Sequence, residues 1–317
     1  MVEKACYLCD LHTHTLHSDG NDTNRELIDK AAELGLRVLA ITDHDVRPIP
    51  VTHEDGHTVS AAVYGLTKGL RVIDGIEFSC DTHVDDVHIV GLGCDFTDPL
   101  FDAVEEESQR SKIEGYHRLV EILAADGMNL TWEELLENKG APRQEHNIQR
   151  KHIFEAIAQK GYTRDWSEAK ILVRNTPKYS VRREKIDPLR AIRIIKDTGG
   201  LAILAHPYLI DDQVELKGRR VSRFDYIEPL IAAGLDGMEA AYPYDKTSYK
   251  GNQTPREIES EVRQRYESRL NLISGGSDYH NDGKKGAKNP RMIGEKGVTE
   301  EYFNSVILPL LECARRK

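Results

Sequence analysis

Several short stretches of this chain end in side chains that bind cations well. Asp10-Leu11-His12-Thr13-His14 sets two imidazoles at i and i+2, which on a strand lie on the same side and can chelate one ion. His17-Ser18-Asp19-Gly20 follows with a carboxylate in a glycine-containing loop, and Thr42-Asp43-His44-Asp45 adds an imidazole flanked by acids. Glu77 and His88 come next, then His206 before Pro207, then Ser277-Asp278-Tyr279-His280, which repeats the i, i+2 spacing with a carboxylate and an imidazole. Any one of these residues taken alone is more ordinarily a hydrogen-bonded core or surface group. Brought together, they would leave buried polar atoms and like charges facing one another unless cations lay between them. Mixed imidazole and carboxylate donors without thiolate suit Zn²⁺, Mn²⁺ or Fe²⁺ better than a soft-metal site or an all-oxygen Ca²⁺ site.

The elements that must carry these residues are repeated β-α units. Tyr7 to Leu11, Val38 to Ile41, Arg71 to Ile73 and Val87 to Leu92 have the pattern of strands, and Asn24 to Leu34 that of an amphipathic helix opened by Thr23 or Asn24. From about residue 100 to 195 long charged helical patterns take over, among them Ala103 to Ala125, Trp132 to Asn138 and Lys151 to Lys160. Alternation resumes after Pro188, with strands ending at His206, around Gly237-Met238-Glu239 and at Ser274. Polar residues at the carboxyl ends of parallel strands are how a β/α barrel or an open α/β sheet builds an active site.

A formal net charge of -10 over 317 residues argues against a sequence-independent grip on long nucleic acid. No run approaches the roughly 18 apolar residues of a membrane span, and the first residues lack a basic start followed by an apolar signal core. The five cysteines have no framework spacing, and Cys6 and Cys9 lie in an extended stretch where residues three apart face opposite ways. The expectation is a cytoplasmic protein with reduced thiols rather than a zinc knuckle or redox pair.

The stretches DLHTHTLHSDG, ITDHD, GIEFS, HIVGLG, LAHP and GSDYH, in this order and across nearly the whole chain, resemble the PHP family, the polymerase and histidinol phosphatase domains, in its small bacterial phosphoesterase branch. The resemblance implies an α/β fold, a distorted seven-stranded (β/α)7 TIM-like barrel, with a helical insertion. On that basis residues 1–99 and 196–317 form the barrel, and 100–195 a substrate-capping subdomain. It also implies two or three divalent ions, of Mn, Zn or Fe. His12, His14, Glu77 and Asp278 would hold the first and Asp19, His44 and His280 the second. Glu77, His88 and His206 would hold a third, with His83 a competitor for the place of His88. His53 and His57 fall in a segment, Val46 to Gly69, longer than this branch usually has, and are expected to be loop residues.

The implied chemistry is attack on phosphorus by a hydroxide made available by cations that lower the pKa of water. Candidates for the general acid are His206, His280 and Asp45. Arg150 and His152 match an Arg-x-His pair that binds phosphate in this branch, with Arg110, Arg118, Arg182 and Arg183 as weaker candidates. Tyr208 and Tyr242 lie where a ring could stack on a base or sugar. The expected substrate is a small phosphorylated metabolite, a nucleotide or sugar phosphomonoester or a cyclic phosphodiester. Two other readings stand beside it: a 5'-to-3' exoribonuclease acting on oligonucleotides, and a non-catalytic metal-bound structural module.

Overall fold

A computed structural model describes residues 5–53, 56–81, 83–137, 142–216 and 218–316. The chain forms two compact units, Met1–Asp102 with Ile186–Lys317, and Ala103–Lys185. The helix Pro188–Asp197, which composition alone groups with the insertion, belongs to the first unit, where Ile195 lies against Gly91 and Gly200.

The first unit is built on seven strands: β1 (Cys9–Asp10), β2 (Val38–Ile41), β3 (Arg71–Cys80), β4 (Val87–Leu92), β5 (Leu201–Leu204), β6 (Gly237–Ala241) and β7 (Leu272–Gly275), hydrogen-bonded in that order. The chain just beyond β1 meets the chain beyond β7 through Asp278 N–H to His12 C=O at 2.9 Å and His14 N–H to Tyr279 C=O at 2.9 Å, so the sheet is nearly closed. Alternation sorts the side chains of the strands. Val38 and Ala40 join Cys9, Leu11, Ile73, Val90 and Ile203 in one core that Phe303 and Ile307 also enter. Leu39 and Ile41, one residue out of phase, pack with Leu27, Ile28 and Ala31 of the helix Asn24–Glu33. That helix starts at Thr23 because Thr23 and Glu26 form a reciprocal capping box.

Two departures from the sequence pattern bear on the site. β3 runs on to Cys80 rather than ending near Ile73, because both of its faces are buried and alternation is lost, so Glu77 lies within a strand. β4 is antiparallel to both β3 and β5, with Ser79 opposite His88. His88 is therefore near the amino end of its strand, which reaches the same rim as the carboxyl ends of the parallel strands. The segment after His44 also holds a short hairpin, Val51–Thr52 with Thr58–Val59, and a helix, Ala61–Thr67.

The second unit has its own core, in which Leu123, Ile153, Ile157, Ala169 and Val173 are buried. Trp132–Leu136 opens on a Thr131–Glu134 capping box; Asn138, where the sequence pattern would end it, lies outside the described residues. No helix among the described residues is long and apolar enough to cross a membrane.

Asp22 ties two loops of the first unit together. It is wholly buried and accepts from Lys30 Nζ at 2.6 Å, Tyr279 Oη at 2.8 Å, Asn281 Nδ2 at 2.8 Å and Lys284 Nζ at 2.9 Å. Burial opposes its charge, but these donors outweigh burial and push the carboxyl down from 3.8 to about 2. A lowered carboxyl pKa stabilises the fold above its unfolded value, and that contribution is lost as pH falls from about 4 towards 2. Asp22→Asn should cost about 2 kcal/mol at pH 7, since both lysines can turn to water when the charge goes. Urea unfolding at pH 7 and pH 3 checks this: the gap between wild type and variant should narrow at the lower pH.

Candidate metal centre

The cluster centres on Glu77, which is wholly buried. Its Oε2 lies 3.2 Å from His12 Nε2, 3.1 Å from His14 Nε2 and 3.0 Å from His44 Nδ1. Its Oε1 lies 2.9 Å from His88 Nδ1 and 3.1 Å from His206 Nε2. Asp278 Oδ1 stands 3.1 Å from His14 Nε2, and Asp19 Oδ1 2.9 Å from His280 Nε2. Among the described residues, three groups of donor atoms are each close enough to share an ion: His14, Asp19, His44 and His280; His12, His14 and Glu77; and His44, Glu77 and His88. The structure thus brings His12, His14, Asp19, His44, Glu77, His88, His206, Asp278 and His280 to one rim of the barrel, although they span the chain from residue 12 to residue 280.

The chemistry of these donors fits cations. His12 Nδ1 donates to Glu239 Oε1 at 3.0 Å, which turns the lone pair of Nε2 towards His14 Nε2, 3.0 Å away, and Glu77. Lone pairs meeting at such distances repel unless something positive lies between them. Adjacent ligands of an ion bound at about 2.0–2.2 Å are themselves about 3.0–3.5 Å apart, which is the spacing found here. Among the described residues, the buried Glu77 Oε2 and His206 Nδ1 are left without a well-formed hydrogen bond, Oε2 despite the three ring nitrogens beside it.

The electrostatics agree. Burial works against charge on His12 and His14, yet Glu77 and Asp278 outweigh it, with Glu239 adding to the pull on His12. His12 is raised well above its usual value and His14 to about 9. A field that draws protons to these nitrogens draws divalent cations to the same point. Burial instead lowers His44 to about 3, which keeps it in the neutral form that ligates.

Neighbouring groups aim these side chains. Glu239 accepts from His12 through Oε1 and from the His206 backbone N–H through Oε2, at 2.9 Å. Tyr242 Oη donates to Asp278 Oδ2 at 2.7 Å, and Arg291 pairs with the same oxygen, which leaves Oδ1 to the imidazoles. Asp10 accepts from Ser277 N–H, Ser277 Oγ and Gly294 N–H across the closing seam. Asp43 accepts from Thr15 N–H, Thr15 Oγ1 and Ser18 Oγ. Sequence reasoning singled out none of Glu239, Asp10, Asp43 and Arg291 for a role, although Asp10 and Asp43 adjoin the histidine motifs and Glu239 is an acid within a predicted strand.

Other candidates lie elsewhere. Asp45 Oδ1 accepts from Ser79 N–H at 2.9 Å and its backbone is left-handed, so it braces the turn after β2. Tyr208 is 4% exposed with Arg223 over its ring at 4.3 Å, and it offers no open face. Tyr242, 1% exposed, likewise cannot stack on a substrate ring. His53 and His57 pair with each other beside Tyr64. Arg150 and His152 begin the helix Arg150–Gln159 of the second unit, where Arg150 is exposed and His152 Nδ1 accepts from Gln149 N–H at 3.1 Å. Above Glu77 opens a cleft of about 350 Å³, into which Lys246, Arg291 and Ser248 also face.

Comparison with known proteins adds chemistry to this geometry. The PHP domain profile matches residues 10–189. The phosphoribosyl 1,2-cyclic phosphate 1,2-diphosphodiesterase of Eggerthella lenta is 29% identical over 86% of this chain and 93% of its own length. The 3',5'-nucleoside bisphosphate phosphatase of Chromobacterium violaceum is 30% identical over 73% of this chain and 76% of its own. The 5'-3' exoribonuclease Rnm of Salmonella typhimurium is 32% identical over 68% and 70%. Among solved structures, a Bifidobacterium adolescentis chain assigned as a metal-dependent phosphoesterase superposes with a TM-score of 0.64 at 27% identity, covering 96% of this chain and 97% of that one.

Proposed function

The chain belongs to the PHP domain family and is a metal-dependent phosphoesterase, and we propose that it hydrolyses a small phosphorylated metabolite in the cleft above Glu77. The substrate in this reading is a nucleotide or sugar phosphomonoester, or a cyclic phosphodiester opened and then hydrolysed. The convergence of five imidazoles on one buried carboxylate carries the proposal. Two or three ions of Mn, Zn or Fe held there would lower the pKa of water and neutralise charge that builds on the phosphoryl oxygens.

The residues of the chain do the positioning. Glu239 fixes the tautomer of His12 by accepting a hydrogen bond from its Nδ1–H, so that the Nε2 lone pair faces the cluster. Tyr242 and Arg291 hold one oxygen of Asp278 and leave the other for ligation. His206 and His280 remain the candidates for the proton donor to the leaving alcohol, since Asp45 is engaged by the backbone of Ser79. Arg150 and His152 stay in the proposal as phosphate ligands, and Arg150→Ala should raise KM about tenfold or more while sparing kcat. The five free cysteines agree with the cytoplasm as its compartment.

A second reading, exoribonuclease action, is favoured by the Salmonella relative. The net charge of -10 favours the small substrate. Phosphate release from nucleoside phosphates, sugar phosphates and cyclic phosphates, beside shortening of a dinucleotide and of a long RNA, separates the two. Turnover of one small class with long RNA untouched is the expected result; RNA shortening without turnover of any small ester would overturn it.

A further inference from the structure

The turn that presents Asp278 and His280 has a left-handed backbone at two non-glycine residues. Asp278 and Asn281 have φ of 50° and 51°, the left-handed region that costs non-glycine residues. A turn of this kind persists only when its surroundings hold it. Besides Tyr242, Arg291 and the seam bonds to His12 and His14, one short loop supplies much of the hold. Asn21 Nδ2 donates to the carbonyls of His280 at 2.7 Å and Asn281 at 3.2 Å. Asp22, next along, accepts from the side chains of Tyr279, Asn281 and Lys284. Lys284 Nζ also returns a bond to Asn21 C=O, and Lys285 Nζ one to Asp19 C=O.

The same loop carries Asp19, whose carboxylate meets His280 Nε2 at 2.9 Å. The loop is itself closed by Leu16 N–H to Asp22 C=O and Gly20 N–H to Thr15 C=O. The bonds made by Asn21 and Asp22 therefore fix the distance between two ligands of one group, Asp19 and His280, that lie at opposite ends of the sequence.

We propose that Asn21 and Asp22 are positioning residues that assemble the ion site of His14, Asp19, His44 and His280 by clamping the strained turn 278–281 to the loop 19–22. The proposal rests on the reading that this cluster holds cations. Its effect should be largest at the His14, Asp19, His44 and His280 site, which takes His280 from the clamped turn and Asp19 from the clamping loop, whereas Asp278, the turn's candidate ligand on the His12 side, is also held by Tyr242 and Arg291.

The test is a Mn²⁺ titration of metal-stripped protein, with free Mn²⁺ followed by electron paramagnetic resonance, beside thermal unfolding of the metal-free forms. Asn21→Ala should lose one ion per chain at matched free Mn²⁺, or bind its weakest ion at least about tenfold more loosely. Excess Mn²⁺ should restore its phosphate release. Tyr279→Phe, which removes one bond to Asp22, should weaken the same ion and serves if Asn21→Ala fails to fold. Either variant loading ions as wild type does, with only its metal-free unfolding temperature lowered, would show a purely structural role and overturn the proposal. Wild type taking up no Mn²⁺ would overturn the metal reading itself, a different failure.

Discussion

Glu77→Gln should reduce phosphate release by on the order of 10³-fold or more while leaving the fold intact. Gln has nearly the same shape, so β3 and its neighbours keep their packing. What changes is charge and hydrogen count. The five ring nitrogens within 3.2 Å would face a neutral amide, and its NH₂ would point donor hydrogens where ligand lone pairs must converge. Two of the three donor groups that could share an ion contain Glu77, so metal content should fall together with activity. Steady-state phosphate release and elemental analysis of the purified variant check this. Activity within tenfold of wild type would show that Glu77 is not the centre of the site.

Gly276→Ala should destabilise the protein by on the order of 3 kcal/mol and loosen the cations with it. A Cβ at position 276 would fall 2.3 Å from His12 Cβ, 2.7 Å from His12 N and 2.9 Å from His12 Cα. All three are backbone or the first side-chain atom, so no flexible tip can swing away. The conflict sits at the closing seam, where Gly276 N–H bonds Ala241 C=O and Asp278 N–H bonds His12 C=O. Relief therefore requires the chain after β1 to part from the chain after β7, which moves His12 and Asp278 away from each other. Urea unfolding in chelator gives the stability loss, and metal titration of the folded fraction gives the change in affinity.

Much of this site was legible in the sequence because its candidate ligands come in short motifs at the ends of strands that alternate with helices. His12 and His14, or Asp278 and His280, announce themselves by spacing, and the helix Asn24–Glu33 by its cap and apolar stripe. The direction of a strand leaves no trace in periodicity, so the reversal of β4, which brings His88 to the rim, could not be read. β3 hid its length for a related reason: burial on both faces removes the period of two, and Asp74 and Gly75 look like a break. Glu239 and Arg291 act on ligands far away in the chain, and the bonds from Asn21 and Asp22 cross some 260 residues. Contacts of that span have no local pattern. Tyr208 shows the opposite error: an aromatic beside a ligand motif suggested a binding surface, and packing under Arg223 took its ring.

The most direct test of the account is to strip the protein of metal, add back Mn²⁺, Zn²⁺ or Fe²⁺, and measure ions bound per chain together with phosphate release. Stripping should abolish release, and release should return with two or three ions in wild type but not in Glu77→Gln. Release that survives stripping, or a full complement of ions on Glu77→Gln, would contradict it.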